Sequence, residues 1–212
     1  MRKLMIIVAG ALFTFGCVAC EPAPVLPVQT EGTVHLEGDS VTWNTYWDTG
    51  IELDYATSWS FTPGSAIDAA PWHPNDTTMT RVPKLVSEGK VDTLFWALGL
   101  SEIGLGGWSD RYKVLWADML YNKIPDESCI VIVKPWTFPQ DHYNRDPADI
   151  NALRSWIDNF ATTRPNTVVV DWKLKSEGYP EYMAGDGVHL DPGSGAAEAR
   201  DAMYREGLVG CG

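Results

Sequence analysis

The sequence predicts an α/β sandwich, a parallel β-sheet covered by helices on both faces. Three observations carry that expectation. Segments of strand character alternate with segments of helical periodicity along the 212 residues, the order that produces parallel strands joined by right-handed helical crossovers. Two of the strands, 129–133 and 167–170, are unbroken and mostly β-branched, as expected where both faces of a sheet are buried. No internal repeat, low-complexity tract or second linker divides the chain, so its length suits one domain with a sizeable core.

The domain does not begin at residue 1. Met1-Arg2-Lys3 is positively charged, residues 4–16 are almost wholly apolar, and Cys17-Val18-Ala19-Cys20 leads into the proline-rich Glu21-Pro22-Ala23-Pro24-Val25-Leu26-Pro27. That order reads as an export signal over 1–20. The apolar run is shorter than the roughly 20 residues a membrane span needs; a retained anchor helix is the alternative. Cys20 follows Val18-Ala19 and resembles the lipid-modified cysteine of a bacterial lipoprotein, so membrane attachment through Cys20 and free secretion both stand as outcomes. Residues 21–32 form a stiff proline-rich linker, and 33–212 the domain. The whole chain carries a formal charge of −12. Residues 1–20 contribute Arg2 and Lys3 and no acid, so the exported part is more acidic still. Such a surface repels nucleic acid and other polyanions.

Strands are expected at 33–38, 51–61, 91–98, 129–133 and 167–170. In the second, Leu53, Tyr55, Trp59 and Phe61 fall at alternate positions. A helix over 110–122 places Tyr112, Leu115, Trp116, Met119 and Leu120 on one stripe. Another, over 147–163, opens with Pro147 after Asp146 and carries Ile150, Leu153, Ile157 and Phe160 at helical spacing. A last helix spans 196–208. Residues 104–108 and 136–146 read as long loops, where ligands usually bind. Cys129 and Cys211 remain in the domain, either paired as a disulfide in an oxidising compartment or buried as two free thiols.

Chemistry concentrates in two stretches. The first strand ends at Gly38, and Asp39-Ser40 follows, a place where a sharp turn can present a hydroxyl. Such a serine needs a base. Asp186-Gly187-Val188-His189 supplies one: in a loop, a carboxylate three residues before an imidazole can reach one ring nitrogen and leave the other to accept a serine proton. Asp39 is expected to hold the turn by hydrogen bonding, not to move protons.

Together these stretches resemble the SGNH/GDSL hydrolase superfamily over about residues 33–205. Gly38-Asp39-Ser40 matches the first block of that family, which implies Ser40 as the nucleophile. Asp186-Gly187-Val188-His189 matches its Asp-x-x-His block, which implies His189 as the base and Asp186 as its partner. Thr62-Pro63-Gly64-Ser65-Ala66 resembles the second block, whose glycine, here Gly64, offers an N–H to the oxyanion. The third block departs from the pattern. The family has Gly-x-Asn-Asp, and this chain has Gly99-Leu100-Ser101-Glu102. Ser101 can donate through its hydroxyl but is shorter than asparagine, and losing one oxyanion donor costs roughly 2.7–4 kcal/mol. Asn75-Asp76 lacks the preceding glycine and strand and does not replace that block.

The resemblance implies a flavodoxin-like, three-layer α/β/α sandwich with strand order 2-1-3-4-5. In that order ligands bind at the carboxyl ends of the first and third strands. Ser40, Gly64 and Ser101 follow the first three strands and are therefore gathered at one edge. The implied function is an exported serine esterase that cleaves or transfers short acyl groups, such as O-acetyl, on a glycan or small ester. A non-catalytic envelope-binding protein with a degraded oxyanion hole is the alternative. Neither a cofactor nor a metal is implied: His35, His73 and His142 are scattered, and the cysteines lack paired ligand spacing. Of the tryptophans, Trp96, Trp116, Trp156 and Trp172 fit core patterns, while one or two of Trp43, Trp47, Trp72, Trp108 and Trp136 are expected to line the pocket.

Overall fold

The computed structural model describes residues 32–69, 75–138 and 141–211. The expected export signal over 1–20 with Cys20, nearly all of the expected linker, Trp72 and His73 lie outside these residues. The five strands are β1 (Val34–Gly38), β2 (Ser58–Phe61), β3 (Thr93–Ala97), β4 (Cys129–Lys134) and β5 (Thr167–Asp171). All pair in parallel, in the order β2-β1-β3-β4-β5. Leu36 at the middle of β1 stands opposite Trp59 on β2 and Phe95 on β3.

Among the described residues there are seven α-helices: α1 (Ser40–Tyr46), α2 (Thr78–Ser87), α3 (Leu100–Gly106), α4 (Asp110–Ala117), α5 (Pro147–Thr163), α6 (Trp172–Ser176) and α7 (Ala196–Val209). Alternation along the strands divides the core in two. Leu36, Phe95 and Val131 meet Tyr46 of α1, Trp172 of α6, and Met203, Tyr204 and Leu208 of α7. Leu94, Trp96, Ile130 and Ile132 meet Val82 of α2, Ile103 of α3, Trp116 of α4, and Ile157 and Phe160 of α5. The result is the expected three-layer sandwich. Helix α5 begins where the sequence places it, because the Asp146 carboxylate accepts the Ala148 N–H and Pro147 occupies the first turn. Helix α4 runs on into a π-helical segment, Asp118–Lys123, that keeps Met119 and Leu120 buried.

Several expectations are corrected. The second strand occupies only the last four residues of 51–61, because β1 begins at Val34 and offers nothing to pair with before Thr57, whose N–H bonds the Val34 carbonyl. Tyr55 nevertheless turns into the core and meets the Tyr46 hydroxyl. Strand β5 is an edge with one neighbour, so Thr167, Val168 and Val169 are only half-buried. Residues 104–106 belong to α3, not to a loop, since that helix is anchored at its start by the Glu102 carboxylate accepting the Gly99 N–H. Helices α1, α2 and α6 are additions; α1 and α6 are very short, and α2 contains Pro83. Of the two states open to the cysteines, the structure has the disulfide. Cys129 at the start of β4 and Cys211 after α7 are bonded, with Cα atoms 5.8 Å apart.

Candidate active site

Ser40 owes its position to the way β1 ends. A Cβ on Gly38 would stand 2.5 Å from Thr42 Oγ1, so only glycine lets the strand turn this tightly into α1. The Asp39 carboxylate caps that helix by accepting the Val41 N–H at 3.0 Å, the holding role expected of it. Burial raises its pKa, opposed by the nearby Arg200 charge. Ser40 is thus the first residue of α1, where a backbone N–H has no intrahelical carbonyl.

The second half of the site comes from the loop before α7. His189 Nε2 lies 2.9 Å from Ser40 Oγ, across 149 residues of chain. His189 Nδ1 lies 2.6 Å from Asp186 Oδ2. The other Asp186 oxygen accepts the N–H groups of Val188 and His189, each at 2.9 Å. Partial burial would raise the Asp186 pKa, but the His189 hydrogen bond and the two backbone donors prevail and hold it below the ordinary carboxylate value. The carboxylate therefore stays ionised and orients Nδ1–H toward itself, which leaves Nε2 as the acceptor for the serine hydroxyl. Both side chains are about one quarter exposed (26% and 25%), enough for a substrate to reach them.

Neighbouring groups keep this loop in register with α1. The Leu190 N–H donates to Asn44 Oδ1 at 2.6 Å, and Asn44 sits one turn beyond Ser40 on the same helix. The Phe138 N–H donates to the Gly187 carbonyl at 2.9 Å and the His142 N–H to the Asp186 carbonyl at 3.0 Å. Asn44 escaped the sequence reading, although its place four residues after Ser40 was the available signal.

Gly64 and Ser101 follow β2 and β3, the strands on either side of β1. Gly64 has φ 75°, a left-handed conformation that favours glycine, in a turn closed by the Ser65 N–H on the Thr62 carbonyl. Ser101 is the second residue of α3. What the sequence reading missed is Glu102 beside it. This fully buried carboxylate accepts hydrogen bonds from the Ile67 N–H (3.1 Å), Trp116 Nε1–H (3.2 Å) and Gly99 N–H (3.0 Å). It ties the Gly64 loop to the start of α3. Burial pushes its pKa up to about 7, against the pull of those donors.

Trp96, Trp116 and Trp172 are buried in the core as expected. Trp108, one of the five loop tryptophans, packs edge-on against Trp116 and Trp156 in the core. Trp43 and Trp47 do line a cleft, and with them Trp59, which the strand pattern had not marked as exposed. Among the described residues no three histidine, cysteine or acidic side chains cluster as metal ligands. His35 is buried between Ser58 and Glu37, remote in role from any such group.

Fold and geometry define a class: α/β sandwiches that carry a serine–histidine–aspartate relay at the carboxyl edge of a parallel sheet, next to the strand-order reversal. The chain has the fold of the SGNH/GDSL hydrolases. A putative acylhydrolase from Bacteroides fragilis superposes with a TM-score of 0.64 at 17% identity, over 86% of this chain and 89% of that one. The catalytic domain of Streptococcus pneumoniae peptidoglycan O-acetyltransferase A gives 0.60 at 19% identity, over 84% and 90%. A GDSL-like lipase from Bacteroides thetaiotaomicron gives 0.59 at 17%, over 86% and 90%. No family model matches the sequence, and no curated protein matches it.

Proposed function

We propose that this chain is a serine esterase that cleaves or transfers short acyl groups, such as O-acetyl, on a glycan or small ester. One observation carries the reading: Ser40 Oγ, His189 Nε2, His189 Nδ1 and Asp186 Oδ2 form a continuous hydrogen-bonded series with links of 2.9 and 2.6 Å. His189 takes the Ser40 proton as Oγ attacks the ester carbonyl, and Asp186 stabilises the imidazolium that results. The oxyanion is met by the backbone N–H groups of Ser40 and Gly64 and by the Ser101 hydroxyl. Collapse expels the alcohol, which leaves with the proton from His189, and an acyl-serine remains. Water or an acceptor hydroxyl, deprotonated by His189, then releases the acyl group.

Export to the cell envelope, free or through a lipidated Cys20, belongs to the same proposal. The Cys129–Cys211 disulfide supports it, since such bonds persist in oxidising compartments. The substitution of serine for the usual asparagine at 101 favours a second reading, a binding protein that has lost catalysis. A fluorophosphonate probe and p-nitrophenyl acetate separate the two. The enzyme is labelled at Ser40 and loses turnover on Ser40→Ala; folded protein that stays unlabelled and inert is the binding module.

A further inference from the structure

A cleft of about 260 Å³ lies at the β2 edge of the sheet, lined by Trp43, Trp47, Trp59, Phe61, Asp76 and Arg81, among others. Trp47 is 65% exposed and Trp59 53% exposed. Exposing so much indole to water in one place is unfavourable unless something covers it.

Its layout is tied to the nucleophile. Ser40, Trp43 and Trp47 fall at i, i+3 and i+7, a single stripe on α1 and its cap. At the α-helical rise the Cα atoms of Trp43 and Trp47 lie about 4.5 and about 10 Å beyond that of Ser40 along the axis. Trp43 and Trp47 pack with ring centroids 5.1 Å apart. Trp59 faces the same side, because it pairs in register with Leu36 of β1. The cleft is also lined by Thr62, two residues before Gly64. Its polar wall is an ion pair: Arg81 Nη1 stands 3.1 Å from Asp76 Oδ2, and the buried Glu37 carboxylate locks the same guanidinium through Nη2 at 2.6 Å.

We propose that this cleft is a carbohydrate-binding subsite that holds the sugar chain bearing the acyl group. The proposal rests on the esterase reading and names the alcohol side of its substrate. A pyranose ring presents a flat face of C–H groups and a rim of hydroxyls, which calls for indole surfaces beside a fixed, planar carboxylate–guanidinium pair. A long acyl tail would leave that ion pair desolvated without partners. An added peptide strand would find only the four residues of β2 to pair with.

The test has two arms. In the first, Trp47→Ala, Trp59→Ala and the double variant are assayed on O-acetylated xylo-oligosaccharide, O-acetylated chito-oligosaccharide, p-nitrophenyl acetate and p-nitrophenyl octanoate, with thermal melting to confirm folding. The expected result is a KM for at least one oligosaccharide raised about tenfold or more in the double variant with kcat retained, so that preference over p-nitrophenyl acetate falls by the same factor. In the second, Ser40→Ala protein is titrated with the deacetylated oligosaccharides while tryptophan fluorescence is followed. Saturable quenching that disappears with Trp47→Ala and Trp59→Ala supports the cleft even if the esterase reading fails. Equal losses on all four substrates, a selective loss on the octanoate, or no saturable binding by either oligosaccharide overturns it.

Discussion

Glu102 makes the stability of this protein depend on pH in a way that can be worked out in advance. Its carboxyl is fully buried, meets three donors and no acceptor, and has its pKa pushed from 4.5 up to about 7. The folded chain therefore binds this proton more tightly than the unfolded chain does. Stability from this group is complete below about pH 4.5 and is lost as pH rises toward 7. The displacement corresponds to roughly 3 kcal/mol. In Glu102→Gln the amide carbonyl can still accept from Ile67 and Trp116, but the NH₂ is turned toward the Gly99 N–H and leaves a buried donor unpaired, at about 1–3 kcal/mol. The variant is thus expected to be the less stable protein at pH 5. By pH 8 the difference should have closed or reversed, because only the wild type must ionise a buried acid. Urea unfolding of both proteins at pH 5 and pH 8 reads this directly, since groups common to the two cancel in the comparison. Equal pH slopes for wild type and Glu102→Gln would refute the argument.

Two further outcomes follow from the geometry. Asp186→Asn removes the charge that orients His189 Nδ1–H and presents an amide in its place, so kcat on p-nitrophenyl acetate should fall about 10⁴-fold; circular dichroism should show the fold retained, and a loss under tenfold would exclude Asp186 as the orienting acid. Replacing Cys129 and Cys211 together by alanine opens a loop with a sequence separation of 82, which chain entropy values at about 4.5 kcal/mol; a urea-derived stability within about 1 kcal/mol of the wild type would show that the bond does not constrain the unfolded chain.

Much of the fold was legible because its signals are local. The β-branched runs of β4 and β5 and the Asp146-Pro147 start of α5 act through near neighbours, and their elements lie where the sequence puts them. Failures came where partners decide. The alternation over 51–57 is real, yet β1 starts too late to pair with it, and Tyr55 is buried through a turn instead of a strand. Helix α3 was hidden by its glycines: its cap, Glu102 on the Gly99 N–H, is local, but the Glu102 bond to Ile67 in the loop after β2 is tertiary and leaves no local signal.

The same distinction separates the relay from the cleft. Neither Gly38-Asp39-Ser40 nor Asp186-Gly187-Val188-His189 is distinctive alone, but their joint spacing and order mark Ser40, Asp186 and His189 as candidates, and the parallel topology then brings the two stretches together. Tryptophan carries no such mark. Trp96 and Trp116 are wholly buried, whereas Trp47 and Trp59 are more than half exposed, and nothing within either pair's local sequence reports the difference. Trp59 lies on β2, the outermost strand among the described residues, and Trp47 caps the C-terminal end of α1, which spans only two turns. Both follow from strand order and helix length, which belong to the whole domain. A candidate nucleophile can therefore be found in a sequence, while the surface proposed to hold its substrate becomes visible only once the edge of the sheet is known.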